Sequence, residues 1–495
     1  MSRLSKSRYL AGLQCHKRLY LDIHVPDLAP PPDASTQAIL DMGSAVGETA
    51  RGYFPGGRLV EAGYRQSQEA LDQTAELMAD PTVPAIFEAA LRFERTLVRV
   101  DVMRREQPPG GEGPTWRLVE VKSSGRLKEH HLDDLAIQAY VAIGAGLSLS
   151  GVSLMHLNTE YLYPGGAIDL TQLFTLCEVT PLVMDRLKDL PARLAVMRAM
   201  IEAPAPPSIQ PGAHCHTPYE CPYWDHCAQE KPARWVYHLP GRKTTAQALI
   251  DQGVETIDEI PESVSLTIIQ RRVKDNREWV APALADALAK VQYPVHHLDF
   301  ETFMPAIPRY PGTRPYQLIP VQWSNHIETA AGDLFHQDYL SEAPDDPREE
   351  FTRHLLESLG DRGTICVYSQ YERSVLEQLA ELFPHHRSVL QAVIKRLWDL
   401  LAVVQEHYYH PAFGGSYSIK SVLPAVVPNL SYDDLEIGDG AVAAREYVRM
   451  VFEVTDWVER QRIADALRAY CARDTFGMVE LRRALREKSR GMGKG

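Results

Sequence analysis

No stretch of this 495-residue chain approaches the ~20 consecutive apolar residues that a membrane span requires. With 45% hydrophobic and 24% charged residues, the composition is that of a soluble globular protein. The start, MSRLSKSRYLAGLQCHKRLYLD, is basic but has no apolar h-region leading to a small-residue cleavage site. Secretion is therefore not expected, and the cytoplasm is the expected compartment. Cysteine is scarce and odd in number, seven in all, which argues against a disulfide framework and leaves thiols or metal ligands. Excess positive charge is missing too. The 52 Lys and Arg face 65 Asp and Glu, a net charge of -13, which speaks against a protein that coats nucleic acid without specificity. Only local basic runs stand out, RLSKSR near the start and QRRVKDNR at 270–277.

What is present is enough chain for about two to four domains. Proline-rich DLAPPPDAS (27–35) and IEAPAPPSIQPGAH (201–214) read as loops, because proline fixes φ and removes a ladder donor. LPGRKTTAQALIDQGVETIDEIPE (239–262) has a short helical pattern, and a strand-like run opens at YPVHHLDFETF (293–303). The expected division is 1–235, a helical linker at 236–290, and 291–495. The first part alternates helix (QAILDMGSAVGETARGYF), strands (TLVRVDVM, WRLVEVKSS), helix (HLDDLAIQAYVAIGAG) and strand (VSLMHLN). The last does the same, with strands at HHLDF, QLIPVQWSNHI and GTICVYS and long helices at YERSVLEQLAELF and QRIADALRAYCARDTFGMVELRRALRE. Both are expected to be α/β.

In LVRVDVM the valines 98, 100 and 102 fall on one face by the two-residue period, leaving Asp101 on the other. The insert QPPGGEGPT joins this strand to WRLVEVKSS as a hairpin, and in the second strand Leu118, Glu120 and Lys122 share a face. Two carboxylates and a lysine can converge there. Such a set suits metal-dependent phosphodiester cleavage, with Asp101 and Glu120 as hard oxygen ligands of Mg2+ or Mn2+ and Lys122 acting on the attacking water. The bland alternative for Glu-x-Lys on a strand is a solvated face.

The order of a helix with GSAVGE, a strand with Asp101, a strand with Glu120-Val121-Lys122 and a helix with Gln138 resembles the RecB-like branch of the PD-(D/E)XK nucleases. That resemblance implies a restriction-endonuclease-like fold. It also implies that Asp101, Glu120 and the backbone carbonyl of Val121 bind metal, that Lys122 is catalytic and that Gln138 supports the site. Where many members have a histidine four residues after a helix glycine, this chain has Gly47 after Gly43, with Glu48 beside it as the substitute ligand. Tyr140 follows Gln138 by two residues, off its helix face, and is expected in the core.

Cys215, Cys221 and Cys227 are spaced C-x5-C-x5-C in HCHTPYECPYWDHC, wider than common zinc knuckles. Three thiolates need a fourth ligand. His214, His216 or His226 would favour zinc, while a distant cysteine would allow zinc or an iron-sulfur cluster. Several RecB-like nucleases, AddB and the CRISPR-associated members among them, hold a 4Fe-4S cluster with one cysteine before the nuclease core and three after it. By that resemblance Cys15, Cys215, Cys221 and Cys227 form a structural staple, with zinc as the alternative ion. Cys177, Cys366 and Cys471 are expected to be ordinary buried residues.

In HHLDFETF, Asp299 and Glu301 share one strand face, and carboxylates at that spacing repel unless a cation or proton sits between them. Tyr470 and Asp474 lie at i and i+4 of a helical stretch. Asp-x-Glu with Tyr-x3-Asp resembles DnaQ-like exonucleases of the RNase H-like fold, in which four acidic groups bind two metals and the tyrosine positions the attacking water. The family's Asn-x-x-Phe-Asp motif maps onto CVYSQYERSVL, where Tyr368 stands for asparagine, Tyr371 for the aromatic residue and Glu372 for the acid. Asp399 in LWDLL matches an aspartate of related domains, or is a first-turn helix residue. The segment at 239–260 has a distant likeness to helix-hairpin-helix modules, against a plain connecting helical pair.

Together the resemblances cover nearly the whole chain and resemble a bacterial family that joins a RecB-like, cluster-bearing nuclease to a DnaQ-like domain. They imply a Mg2+ or Mn2+ dependent nuclease acting on DNA, single strands preferred, in repair or phage defence. The C-terminal site is expected to be a 3'-5' exonuclease. The rivals are a nucleic-acid-binding protein with one or both centres inactive, suggested by Gly47 and Glu372, and an RNA-processing exonuclease. No membrane partner is expected.

Overall fold

In the computed structural model, which describes residues 4–107 and 113–491, the valines 98, 100 and 102 are all buried, but they do not share a face. Val98 and Val100 belong to one apolar cluster and Val102 to another. The alternation slips at Asp101. Across the ladder from it, between the pairs Phe87–Val102 and Ala89–Val100, Glu88 takes a left-handed φ of 56°. A side chain in that conformation marks a local irregularity rather than a regular strand.

The chain divides into two compact units, Met1–Lys231 with Pro305–Tyr316, and Pro232–Met304 with Gln317–Gly495. The segment 236–290 lies within the second unit. It contains helices at Lys243–Asp251, Ile268–Asp275 and Leu284–Leu288. Both units are mixed α/β.

The first unit is built on strands β1 (Leu4–Ser5), β2 (Arg58–Leu59), β3 (Ala85–Phe93), β4 (Thr96–Glu106), β5 (Thr115–Lys122), β6 (Leu149–Leu157) and β7 (Phe174–Glu178). They form one sheet in the order β2-β3-β4-β5-β6-β7. β4 and β5 are antiparallel, Val102 opposite Val119, and β5 and β6 are parallel. Residues 108–112 of the connecting insert lie outside the described residues. β1 pairs in parallel with Thr96 and Leu97 at the start of β4, while β5 pairs with its far end from Val102 onward. Between these two partners β4 is left open, and Asp101 stands at the fork.

Helices cover both faces. On one, the Glu129–Gly144 helix buries Leu132, Leu135, Ala136, Ala139 and Val141 against Val100 and Leu118, with Tyr9, Leu19 and Leu194 from neighbouring helices. On the other, Val46 and Ala50 of the Ala34–Arg51 helix pack with Val102, Val119 and Met155. The Pro305–Tyr316 segment adds Ala306 to that second layer, and the Tyr316 hydroxyl donates to the Ser123 carbonyl just past β5.

The second unit has strands β8 (Trp279–Val280), β9 (Val295–Phe303), β10 (Ile319–Glu328), β11 (Leu334–Leu340), β12 (Thr364–Val367), β13 (Leu397–Asp399) and β14 (Tyr408–Tyr409). Five of them make a sheet in the order β11-β10-β9-β12-β13. β10 runs antiparallel to both β9 and β11, whereas β12 runs parallel to β9 and to β13. β9 is therefore the strand at which pairing changes sense. The 35-residue helix Trp457–Gly491 lies along β9 and β10 and buries Ile463, Leu467, Cys471, Met478, Leu481 and Leu485 at helical spacing. Polar ties fix its rotation: Gln322 Nε2 donates to the Leu467 carbonyl at 2.9 Å, and Thr475 Oγ1 lies 2.7 Å from Ser324 Oγ and 2.8 Å from His326 Nδ1. Among the described residues no helix is long and apolar enough to cross a membrane.

Candidate active site

The fork beside β4 gathers charged groups from four elements. Asp101 Oδ2 accepts the Val121 N–H at 2.7 Å, which ties β4 to the end of β5. Glu120, 1% exposed, receives Lys122 Nζ at 2.6 Å and Gln138 Nε2 at 2.6 Å. Lys122 Nζ also reaches Asp134 Oδ2 at 2.5 Å. Asp134 precedes Gln138 by one turn of the Glu129–Gly144 helix, so both side chains leave the same helix face. Lys6, the first residue of the Lys6–Gln14 helix, sets its ammonium 3.0 and 3.1 Å from the two Glu120 oxygens, 3.6 Å from Asp134 Oδ1 and 3.8 Å from Asp101 Oδ1.

The charges sort these carboxyls. Burial raises the Asp101 carboxyl to about 7, and the neighbouring Glu120 charge adds to that rise. Burial alone would raise Glu120 as well, but the charges of Lys122 and Lys6 hold it below the ordinary carboxylate range. Asp134 is raised by burial and by Glu120. Lys122 and Lys6 are raised because the surrounding carboxylates outweigh their own desolvation.

Asp101, Glu120, Val121, Lys122 and Gln138 are thus brought together. Glu48 is not part of this contact set: it is exposed on its helix and makes no hydrogen bond or ion pair with the cluster among the described residues. A Cβ added at Gly43 or Gly47 meets no atom within 4 Å, so close packing does not demand either glycine. Tyr140 packs edge-on against Phe93, ring centroids 5.5 Å apart. Sequence reasoning missed Lys6 and Asp134. The Asp134–Gln138 spacing on one helix was the available sign of the second; Lys6 sat inside a run read only as basic.

In the second unit, Asp299 and Glu301 lie on β9, Glu372 in the first turn of the Tyr371–Leu382 helix, and Asp474 on the long C-terminal helix. Burial, then the charges of Asp474, Glu301 and Glu372, raise Asp299 well above the ordinary range. Glu301 is raised by burial and by Asp474. Burial also lifts Glu372 to about 7 and Asp474 to about 6. These four groups repel one another unless protons or cations intervene. Glu372 is 2% exposed, and its Oε2 has no hydrogen-bond partner among the described residues. A buried carboxylate oxygen without a partner is a costly state that a bound cation would relieve.

Around these acids stand residues the sequence singled out and two, Tyr432 and Lys420, that it did not. The Tyr432 hydroxyl donates to Asp474 Oδ1. Lys420 Nζ lies 5.2 Å from the Tyr470 ring centroid and 5.7 Å from that of Tyr432, and its charge partly offsets the rise at Glu301 and Asp474. Cys471, expected as an ordinary buried thiol, sits with Sγ 3.7 Å from Asp299 Oδ2. Asp299, Glu301 and Cys471 each offer a ligand atom within 4.8 Å of the others. Tyr371 is hydrogen-bonded to Thr302 Oγ1, and the Tyr368 hydroxyl donates to the Tyr417 carbonyl at 3.1 Å. Asp399 caps the Leu400–His407 helix through the Ala402 N–H and accepts from Gln370 Nε2 at 2.9 Å, while its charge is felt by Glu372.

Cys15, Cys215, Cys221 and Cys227 line one small cavity in the first unit, together with His214 and Tyr223. All four are free thiols. Burial raises Cys215, and raises Cys221 to about 11. Gln14 Nε2, one residue before Cys15, donates to the His214 carbonyl at 2.8 Å and the Tyr219 carbonyl at 2.7 Å.

Residues 296–418, which hold Asp299, Glu301, Glu372 and Asp399, match the model of a domain of unknown function, DUF2779. An alignment 230 positions long, which covers 42% of this chain, shows 26% identity to an uncharacterized protein of Ureaplasma parvum serovar 3. The match spans 33% of that relative, so the chain covers about a third of its length.

Proposed function

We propose that this protein is a metal-dependent nuclease with two active centres that hydrolyses DNA, single strands in preference to duplex. The observation that carries this reading is the convergence of Asp299, Glu301, Glu372 and Asp474 from three separate elements, with the buried Glu372 Oε2 unpartnered among the described residues. Four carboxylates would hold Mg2+ or Mn2+ through hard oxygen ligands. A divalent ion bound there would stabilise developing phosphoryl charge and lower the pKa of a coordinated water. Tyr470 would orient that water, and Tyr432 holds Asp474 by its hydrogen bond. This arrangement, on a DnaQ-like domain, is read as a 3'-5' exonuclease.

In the first unit Asp101, Glu120 and the Val121 carbonyl would hold the metal of the second, RecB-like centre, where Lys122 would act on the attacking water while Gln138 fixes the Glu120 carboxylate. The cysteine quartet is read as holding a 4Fe-4S cluster. The support is that Cys15, from before β2, and Cys215, Cys221 and Cys227, from after β7, line one cavity, in the order of the RecB-like nucleases that carry such a cluster; zinc on the same cysteines is the alternative.

The test incubates purified protein with end-labelled single-stranded DNA, duplex DNA and RNA, in Mn2+ or in chelator. Stepwise loss of nucleotides from the 3' end in Mn2+ alone is expected. Asp299→Ala should abolish that activity, Lys122→Ala should remove what remains, and the double variant should be inert. Metal-independent cleavage, or cleavage untouched in the double variant, overturns the assignment; cleavage of RNA alone moves the substrate.

A further inference from the structure

A lysine that no nuclease motif of the sequence includes stands within ion-pair reach of all three carboxylates of the first acidic centre. Lys6 Nζ faces three carboxylates at once, 3.0 Å from Glu120, 3.6 Å from Asp134 and 3.8 Å from Asp101. Its placement is built into the fold. β1 pairs with the start of β4 and stops at Ser5, whose side chain caps the following helix by accepting the Arg8 N–H. The helix therefore begins at Lys6, in the gap where β4 has no partner. Its far end is held by the two bonds from Gln14 to the His214 and Tyr219 carbonyls. In its middle Gly12 lets the backbone pass so close to Leu19 and Met197 that a Cβ there would come within 2.8 Å of both. The chain fixes this lysine at both ends and does not leave it to wander.

We propose that Lys6 is a tethered counter-ion that occupies the cation position among Asp101, Glu120 and Asp134, so that a divalent ion must displace its ammonium to bind. The inference rests on the reading of Asp101 and Glu120 as metal ligands. With all three carboxylates ionised, the ammoniums of Lys6 and Lys122 leave the cluster one negative charge; without Lys6 it would carry two. Like charges close together in a site set back from water repel strongly, so ammonium and divalent ion compete for the same oxygens. The centre then admits metal less readily than its carboxylates alone would, and the N-terminal helix sets the threshold.

The experiment measures Mn2+ binding by the loss of the free-ion EPR signal, in the full chain carrying Asp299→Asn and Glu301→Gln to silence the second centre. Lys6→Gln in this background should bind Mn2+ at least about tenfold more tightly. Lys6→Arg, which keeps the charge, and Lys128→Gln, which removes a lysine outside the cluster, should match the parent. Lys6→Met repeats the measurement if the glutamine variant fails to fold. Equal or weaker binding by Lys6→Gln or Lys6→Met overturns the counter-ion role while leaving the metal centre standing. If neither parent nor Lys6 variants bind Mn2+, or if binding persists after Asp101→Asn with Glu120→Gln, the metal-ligand reading itself falls, and this inference with it.

Discussion

The hydroxyl of Tyr432 donates a hydrogen bond to Asp474 Oδ1 from a loop 42 residues earlier in the chain. Asp474 is buried, and burial lifts its carboxyl to about 6 even with this donor in place. A donor to the charged form lowers a carboxyl pKa, and a bond to a charged group contributes about 1.5–3 kcal/mol. Tyr432→Phe should therefore move the acidic limb of the pH–rate profile upward, with about a tenfold loss of 3' trimming at pH 6.5 and a smaller loss at pH 8.5. An equal loss at both pH values would show that Tyr432 acts on something other than Asp474 ionisation.

Stability without metal should fall as the solution becomes more alkaline. Asp101 and Glu372 have folded values of about 7 and Asp474 of about 6, all above an ordinary carboxyl. Each binds its proton more tightly folded than unfolded. Its contribution is full below about pH 4 and is lost as pH rises through 6 to 7. Melting in chelator should be lower at pH 8 than at pH 5.5, and Mn2+ should restore the loss at pH 8. Glu372→Gln, which cannot ionise, should flatten the dependence; an unchanged slope would remove Glu372 from the account.

Purified protein should be brown, with a broad visible absorption band and iron rather than zinc by elemental analysis. Cys15→Ser should bleach it and lower the melting temperature of the first unit, since a group joining distant segments contributes folding free energy. Colourless protein with stoichiometric zinc would replace the cluster by a zinc ion on the same cysteines.

Gly12→Ala puts a methyl 2.8 Å from the ends of the Leu19 and Met197 side chains, so an overpacking cost of about 1–3 kcal/mol works against a helix-propensity gain of about 1 kcal/mol, and the first unit should lose at most about 2 kcal/mol. If Lys6 is positioned by this packing, the same variant should change Mn2+ affinity in the direction of Lys6→Gln. Thermal melts and the EPR titration together check both statements.

The second centre was largely legible in the sequence because its acids sit at short, regular spacings: Asp-x-Glu on a strand, Tyr-x3-Asp on a helix. Tyr432 and Lys420 were not, since both reach the acids from outside those motifs. In the first unit β4, β5 and the Gln138 helix followed from periodicity, but the shared valine face did not survive. The irregular pair Glu88 and Asp101 breaks the alternation, and no side-chain pattern announces a left-handed φ at a glutamate. β3, AIFEAALRF, escaped notice because its alanine- and phenylalanine-rich run lacks the polar alternation of a half-exposed strand; buried on nearly all sides, it has no need of one. Lys6 escaped because 114 residues separate it from Glu120, and only the two-residue pairing of β1 brings them together.

The hydrogen bonds from Gln14 to residues 214 and 219, and the cavity that Cys15 shares with Cys215, Cys221 and Cys227, make the first unit a ring in covalent order. A ribosome must deliver residue 227 before that ring can close, long after the carboxylates of β4 and β5 have emerged. During translation the acids of the first centre therefore exist before the anchored Lys6 that sits among them. In the finished protein, a protease that nicks one surface loop between these anchors leaves two fragments still clasped together.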